Sequence, residues 1–147
     1  MFKHILIPTD GSEFSEKVVK DGMALAKTIN AKITGVHVYP SFIMISYGEF
    51  GPVDGEIQKR MLESAKTDGN KYLDRLQAAA KSAGVAFDRV LVEHDDAWKG
   101  ILETAQKKGC DLIMMAAHGR RGLSAVVLGS ETNKVLTHSK IQVLVYR

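Results

Sequence analysis

Short apolar runs, separated by longer segments of helical period, constrain this chain more than any other feature. The runs are FKHILIP, AKITGVHVY, FDRVLVEH, CDLIMMAAH and IQVLVYR. A run that is apolar at nearly every position has no solvent-facing side, so it belongs in a sheet covered on both faces, as parallel strands are. Between the first two runs the period changes. Phe14, Val18, Val19, Met23, Leu25, Ala26 and Ile29 recur at helical spacing with lysines and acids between them. Ser12 is placed to cap that helix, and Asn30 to turn the chain after it. Further helices are expected over roughly Glu56 to Ser82, in DDAWKGILETAQKKG and in SETNKVLTHS, with Asp95 or Asp96 as a cap and Gly84 and Gly109 as stops. Gly69-Asn70, near the middle of the long helix, predicts a kink or break there. Alternation of this kind over the whole length predicts one α/β domain, residues 1–147, with an open, mostly parallel sheet of five strands and helices on both faces.

Composition removes several function classes. A chain of 147 residues buries roughly two thirds of its unfolded surface, enough for one core. It has no apolar run of about 18 residues, so no helical membrane span is expected. The apolar start is too short and is interrupted by Pro8 and Asp10, unlike a signal peptide. The single cysteine, Cys110, cannot form an internal disulfide, and a cytoplasmic location is expected. A formal charge of +3 is too small and too evenly spread to predict nucleic-acid binding. None of the five histidines shares metal-ligand spacing with another on one helix. The EHDD stretch at Glu93–Asp96 reads as a strand end and helix cap, and Met114 and Met115 as core. The segment PSFIMISYGEFGPVDG breaks the rhythm with prolines and glycines. Its apolar residues Phe42, Ile43, Met44, Ile45 and Tyr47 predict a long connection lying over something.

Ligands of open α/β sheets bind beyond the carboxyl ends of the strands, where the strand order reverses. Two loops leave strand ends and enter helices: PTDGS after the first strand and AAHGRRGLSAVVLGS after the fourth. If those strands are neighbours, the loops flank one crevice. Gly119, Gly122 and Gly129 then let backbone N–H groups approach an anion. Ser130 opens a helix whose free N–H groups favour phosphate, and Thr132 adds a hydroxyl. Arg120 and Arg121 can supply charge, and His118 can touch the phosphate. The same glycines and serine also suit an ordinary strand-to-helix turn with no ligand. GxxxxGK[ST] and GxGxxG are both absent, which excludes a P-loop and disfavours the usual dinucleotide fold.

The combination of the two loops is more distinctive than either alone. From ILIPTDGS to IQVLVYR the chain resembles a universal stress protein of the nucleotide-binding kind. The ATP pattern of that family is Gly, two residues, Gly, nine residues, Gly, then Ser or Thr. Gly119, residues 120–128, Gly129 and Ser130 match it in register, and Ala116 stands at the first glycine. The resemblance implies a Rossmann-like fold of the adenine-nucleotide-binding type and an ATP site built mostly from backbone. Pro8, Thr9 and Asp10 would form its first wall, with Asp10 facing the ribose or a magnesium ion. Val38 would meet adenine through its main chain. Residues Ala116 to Gly122, including His118, Arg120 and Arg121, would wrap the ribose and phosphates. Ser130, Glu131 and Thr132 would receive the phosphate tail.

The function so implied is an ATP-binding stress-response protein in which nucleotide acts as a switch or stabiliser. Ala116 leaves open an alternative, a dimeric interaction module with a vestigial pocket. An ATP-using enzyme is disfavoured because PTDGSEFS lacks the SGGxDS pyrophosphatase pattern, so slow ATP turnover at most is expected. The last run supplies a partner. A doubly wound sheet leaves IQVLVYR at an edge, apolar on both faces and without a guarding proline or central charge, which invites pairing. A second copy covers such an edge about a two-fold axis. The resemblance likewise implies a homodimer through residues 141–147.

Overall fold

The computed structural model describes residues 1–41, 54–119 and 128–147. The expected covering segment (Phe42, Ile43, Met44, Ile45, Tyr47) and the site candidates Arg120, Arg121 and Gly122 lie outside them. The described chain runs β1 (His4–Pro8), α1 (Glu13–Ile29), β2 (Lys32–Tyr39), α2 (Gly55–Ala83), β3 (Phe87–Glu93), α3 (Ala97–Lys108), β4 (Leu112–Ala116), α4 (Ser130–His138) and β5 (Gln142–Tyr146). The strands form one five-stranded sheet in the order β3-β2-β1-β4-β5, with every pair parallel. This is the Rossmann-like α/β architecture expected.

Side-chain alternation assigns each face its core. Ile5, Ile7, Ile33, Leu112 and Met114 meet Val18, Met23 and Ala26 of α1 and Leu76 and Ala80 of α2. Leu6, Val36, Ile113 and Met115 point the other way, onto Ile101 and Ala105 of α3 and Val135 of α4. The strands are therefore apolar throughout because both faces are covered, as their sequence demands.

Local signals set most helix ends. Ser12 caps α1 by accepting from the Ser15 N–H at 3.3 Å. Asn30, Gly84 and Gly109 close α1, α2 and α3 in the left-handed conformation, at φ of 55°, 69° and 66°. Two expectations need correction. Helix α2 runs unbroken for 29 residues through Gly69-Asn70. Gly69 lets the helix approach the sheet closely: a Cβ there would lie 2.5 Å from His37 Cδ2 and 2.7 Å from Leu91 Cδ1. Asn70 is held by Arg89 of β3, whose guanidinium donates to the Asn70 side chain at 2.9 Å and also reaches Asp74 and Gln77. Packing thus outweighs the helix-weakening tendency of the pair. At α3, Asp96 occupies the cap position but makes no side-chain cap bond. The Trp98 N–H is instead satisfied by Glu131 of α4, at 2.9 Å.

Candidate functional site

The order β3-β2-β1-β4-β5 reverses direction between β1 and β4, so the two suspect loops do flank one crevice. The β1–β4 ladder is short, joining Ile5 to Leu112 and Leu6 to Ile113. By contrast, β1–β2 pairing continues to Pro8 opposite Val36. The strands consequently separate toward their carboxyl ends, and the loops after them form the walls.

The first wall is anchored by Thr9. Its N–H donates to the Val36 carbonyl at 2.9 Å, and its buried hydroxyl accepts from the Gly11 N–H at 3.2 Å. Its carbonyl lies 2.7 Å from Nδ1 of His37. Asp10 follows, with Oδ1 accepting from the Ser12 N–H at 2.9 Å. That bond turns the other carboxylate oxygen, Oδ2, across the crevice toward Gly119. A Cβ on Gly119 would stand 2.7 Å from it, closer than real contacts allow. The two loops therefore meet at Asp10 and Gly119, and a glycine makes the approach feasible.

The second wall descends from β4 into α4. Ala116 ends β4, and its methyl packs on the α1 side of the core, away from α3 and α4. Gly129 N–H donates to the Ala117 carbonyl at 2.8 Å, and Thr132 Oγ1 donates to the Ala116 carbonyl at 2.9 Å. These bonds fold the start of α4 back onto the end of β4. A Cβ on Gly129 would lie 3.1 Å from the Ala117 oxygen, a tight fit. The first helical bond of α4 is from Asn133 N to Gly129 O. The N–H groups of Ser130, Glu131 and Thr132 thus stand outside the helical ladder, the arrangement that suits an anion.

Other candidates fall around this frame. His118 lies edge-on to Phe14 of α1 at a centroid distance of 5.9 Å, and Phe14 is 46% exposed. Val38 lies two residues beyond the last β1–β2 pair. Because Val36 turns its main chain toward β1, Val38 does the same past the end of that strand, so its peptide groups border the crevice. The Glu131 carboxylate bridges the Trp98 N–H and, at 3.0 Å, Lys134, so it is turned to α3 and along its own helix. Beside the first wall, between α1 and α2, lies a cavity of about 280 Å³ bounded by Thr9, Gly11, Val19, Tyr72 and Leu76.

Three residues near the site escaped the sequence reading: Phe14, His37 and Tyr72. Phe14 was legible as part of the apolar stripe of α1, but nothing local announces its contact with His118. No cluster of metal-ligating side chains occurs among the described residues. The EHDD stretch ends β3 and leads into α3 with Asp96 at the cap position, where the Asp96 N–H donates to His94 Nδ1 at 2.9 Å. Cys110 is buried, and burial pushes its thiol up to about 11.

An open parallel sheet with a crevice at its switch point defines a Rossmann-like α/β protein. Within that class the sequence profile of the universal stress protein family matches residues 1–147, and the chain belongs to this family. It is 30% identical over 147 residues to universal stress protein MJ0531 of Methanocaldococcus jannaschii, covering all of this chain and 83% of that one. The solved structure of MJ0577 from the same organism shares 30% identity at a TM-score of 0.77, covering 99% and 95% of the two chains. A universal stress protein solved in complex with cAMP shares the fold, at 21% identity and a TM-score of 0.68, covering 99% and 97%. No helix among the described residues is long and apolar enough to cross a membrane.

Proposed function

We propose that this chain, acting as one unit over residues 1–147, is a cytoplasmic stress-response protein that binds ATP in the β1–β4 crevice. The observation that carries this reading is the approach of Asp10 to Gly119 across the switch point, 2.7 Å from where a Cβ would stand. With Gly129 at the foot of the second wall, it brings the loops together at positions where a side chain would collide with Asp10 or press on the Ala117 carbonyl. The residues fit the nucleotide by chemistry. The main chain of Val38 offers a donor and acceptor to adenine. Asp10 suits a ribose hydroxyl or a magnesium ion carried by the phosphates. The N–H groups of Ser130, Glu131 and Thr132 suit the phosphate tail, aided by the exposed Ser130 hydroxyl. Pro8 and Thr9 shape the first wall and Ala116, His118 and Gly119 the second; Arg120, Arg121 and Gly122, which follow in the sequence, are the remaining candidates. The cAMP complex within the family supports the adenine class. The packing of the Ala116 methyl onto the α1-side core weighs against a vestigial pocket.

Bound nucleotide would act as a switch or stabiliser, because phosphoryl transfer needs a positioned water and concentrated positive charge that the described walls do not supply. Titration calorimetry with ATP and magnesium tests the reading, and it fails if millimolar ATP gives neither binding heat nor a thermal shift. Turnover is expected below about one per second, near the low end for enzymes.

The assembly proposed is a homodimer through β5. This strand is outermost in the sheet, and its Leu144 is 42% exposed. Sedimentation at tens of micromolar should give the dimer mass, and Leu144→Lys should shift it toward the monomer while leaving the melting curve of the fold intact. A monomeric wild-type protein would overturn the assignment.

A further inference from the structure

His37 and Tyr72 form a packed aromatic pair between α2 and the first wall, and two glycines make room for it. The rings lie edge to face at a centroid distance of 5.2 Å. Gly69 of α2 admits the His37 ring, since a Cβ there would fall 2.5 Å from Cδ2. Gly11, at φ +75°, admits the Tyr72 ring, since a Cβ there would fall 2.2 Å from Cε1. The far edge of His37 faces the Thr9 carbonyl at 2.7 Å. A carbonyl oxygen only accepts, so Nδ1 carries the proton and donates.

We infer that His37 is a positioning residue of the crevice: its Nδ1–H fixes the Thr9 carbonyl, and with it the start of the Asp10 loop, while Tyr72, Gly69 and Gly11 fix the ring. The inference deepens the nucleotide reading and rests on it. Thr9 is held at its N–H by Val36, at its hydroxyl by Gly11 and at its carbonyl by His37. Of these three bonds, the His37 bond ties the loop to a side chain that α2 packs against. Asp10 comes next in the chain and already faces Gly119 at the limit of contact, so a small displacement of Thr9 moves its carboxylate into or away from the opposite wall. Displacements of about 1 Å at a positioned group cost up to about a hundredfold in function.

The test uses the full chain and ATP with magnesium. Leucine at position 37 removes the donor, whereas asparagine keeps an N–H near the place of Nδ1. His37→Leu should weaken ATP by at least about tenfold, and His37→Asn should return it to within about threefold of wild type. Gly69→Ala, which favours the helix but drives a methyl at the ring, should also weaken ATP while far-ultraviolet dichroism stays native. Nitrogen-15 spectra of the wild-type protein should show the His37 ring protonated at Nδ1. Wild-type affinity in His37→Leu, or an Asn variant as weak as the Leu variant, would overturn the inference and leave the nucleotide reading standing. So would a ring protonated at Nε2 alone. A wild-type protein that does not bind ATP overturns the nucleotide reading, and this inference with it.

Discussion

At the amino ends of β1 and β4, the Asp111 carboxylate accepts the Lys3 and His4 N–H groups at 2.8 and 2.9 Å, and the Asp111 N–H returns to the His4 carbonyl at 3.0 Å. His4 Nε2 is hydrogen-bonded at 2.7 Å to Thr34, which is fully buried. At the carboxyl ends of the same strands the ladder has stopped, Asp10 faces Gly119, and three N–H groups of α4 stand outside its ladder. One aspartate joins the strands and the other faces the gap between them. The difference lies in the partners. Where the carboxylate at the head of β4 takes two backbone N–H groups at the head of β1, the two strands are tied together and these polar atoms are satisfied. Where the strands part, Gly119 lets the Asp10 carboxylate approach the opposite loop. No buried side-chain polar atom lacks a partner among the described residues; the sealed end serves stability, and the open end, on the proposed reading, serves binding.

The contrast breaks hardest at Gly129. Its φ of −57° is open to any residue, but a Cβ there presses on the Ala117 carbonyl at 3.1 Å, so Gly129→Val should push the first turn of α4 off the end of β4 and spoil its N–H array while leaving the sheet folded. ATP affinity should fall by at least about a hundredfold, some 2.7 kcal/mol, by calorimetry on protein with a native melting curve. Unchanged affinity would remove the open end from the comparison. Next comes Cys110, at the sealed end. With its thiol pushed up to about 11 by burial, about one in a thousand is thiolate at pH 8. Reaction with a thiol reagent should therefore be about a hundredfold slower in native than in urea-unfolded protein.

Asp111→Ala removes one acceptor from two backbone N–H groups, and hydrogen bonds to charged groups put the cost at about 2 kcal/mol. Urea unfolding should report it, with ATP affinity unchanged because the crevice is at the other end. A loss of affinity equal to the loss of stability would show that the two ends are not separable.

The smallest effect is a pH slope. Burial, with Lys32 nearby, holds the His4 imidazole below its ordinary 6.5, outweighing the pull of Asp111. The folded state then binds fewer protons than the unfolded state just below that pH. Stability from the neutral ring is present above pH 6.5 and is lost as pH falls through the window beneath it. Asp111 adds to the acid loss lower down. Burial raises its carboxyl, but the His4 and Lys3 N–H bonds outweigh this and hold it below the ordinary carboxylate range. Replacing His4 by Gln should flatten the melting temperature between pH 7 and pH 5.5 relative to wild type.

Neighbouring residues made much of this fold legible. Ser12, Asn30, Gly84 and Gly109 act on backbone groups a few positions away, so they mark helix ends in the sequence itself. The loops of the site were equally visible, because glycine and serine between a strand and a helix are local features. Glu131 was not legible. The resemblance set it beside the phosphate tail, and nothing in the sequence shows that its carboxylate accepts from the Trp98 N–H of a different helix. Gly69-Asn70 misled for the same reason, since the partners that make them useful, His37, Leu91 and Arg89, lie on other strands.

The sequence by itself determined the kind of sheet, the positions of its strands and most helix ends, because hydrophobic period and capping act over one or two turns of chain. Only the tertiary structure decided that β1 and β4 are neighbours, that their ladder stops early, and that Asp10 therefore meets Gly119. It also decided that His37 holds the Thr9 carbonyl. Those contacts join residues tens to more than a hundred positions apart, and they exist because covering both faces of one sheet brings distant strands side by side.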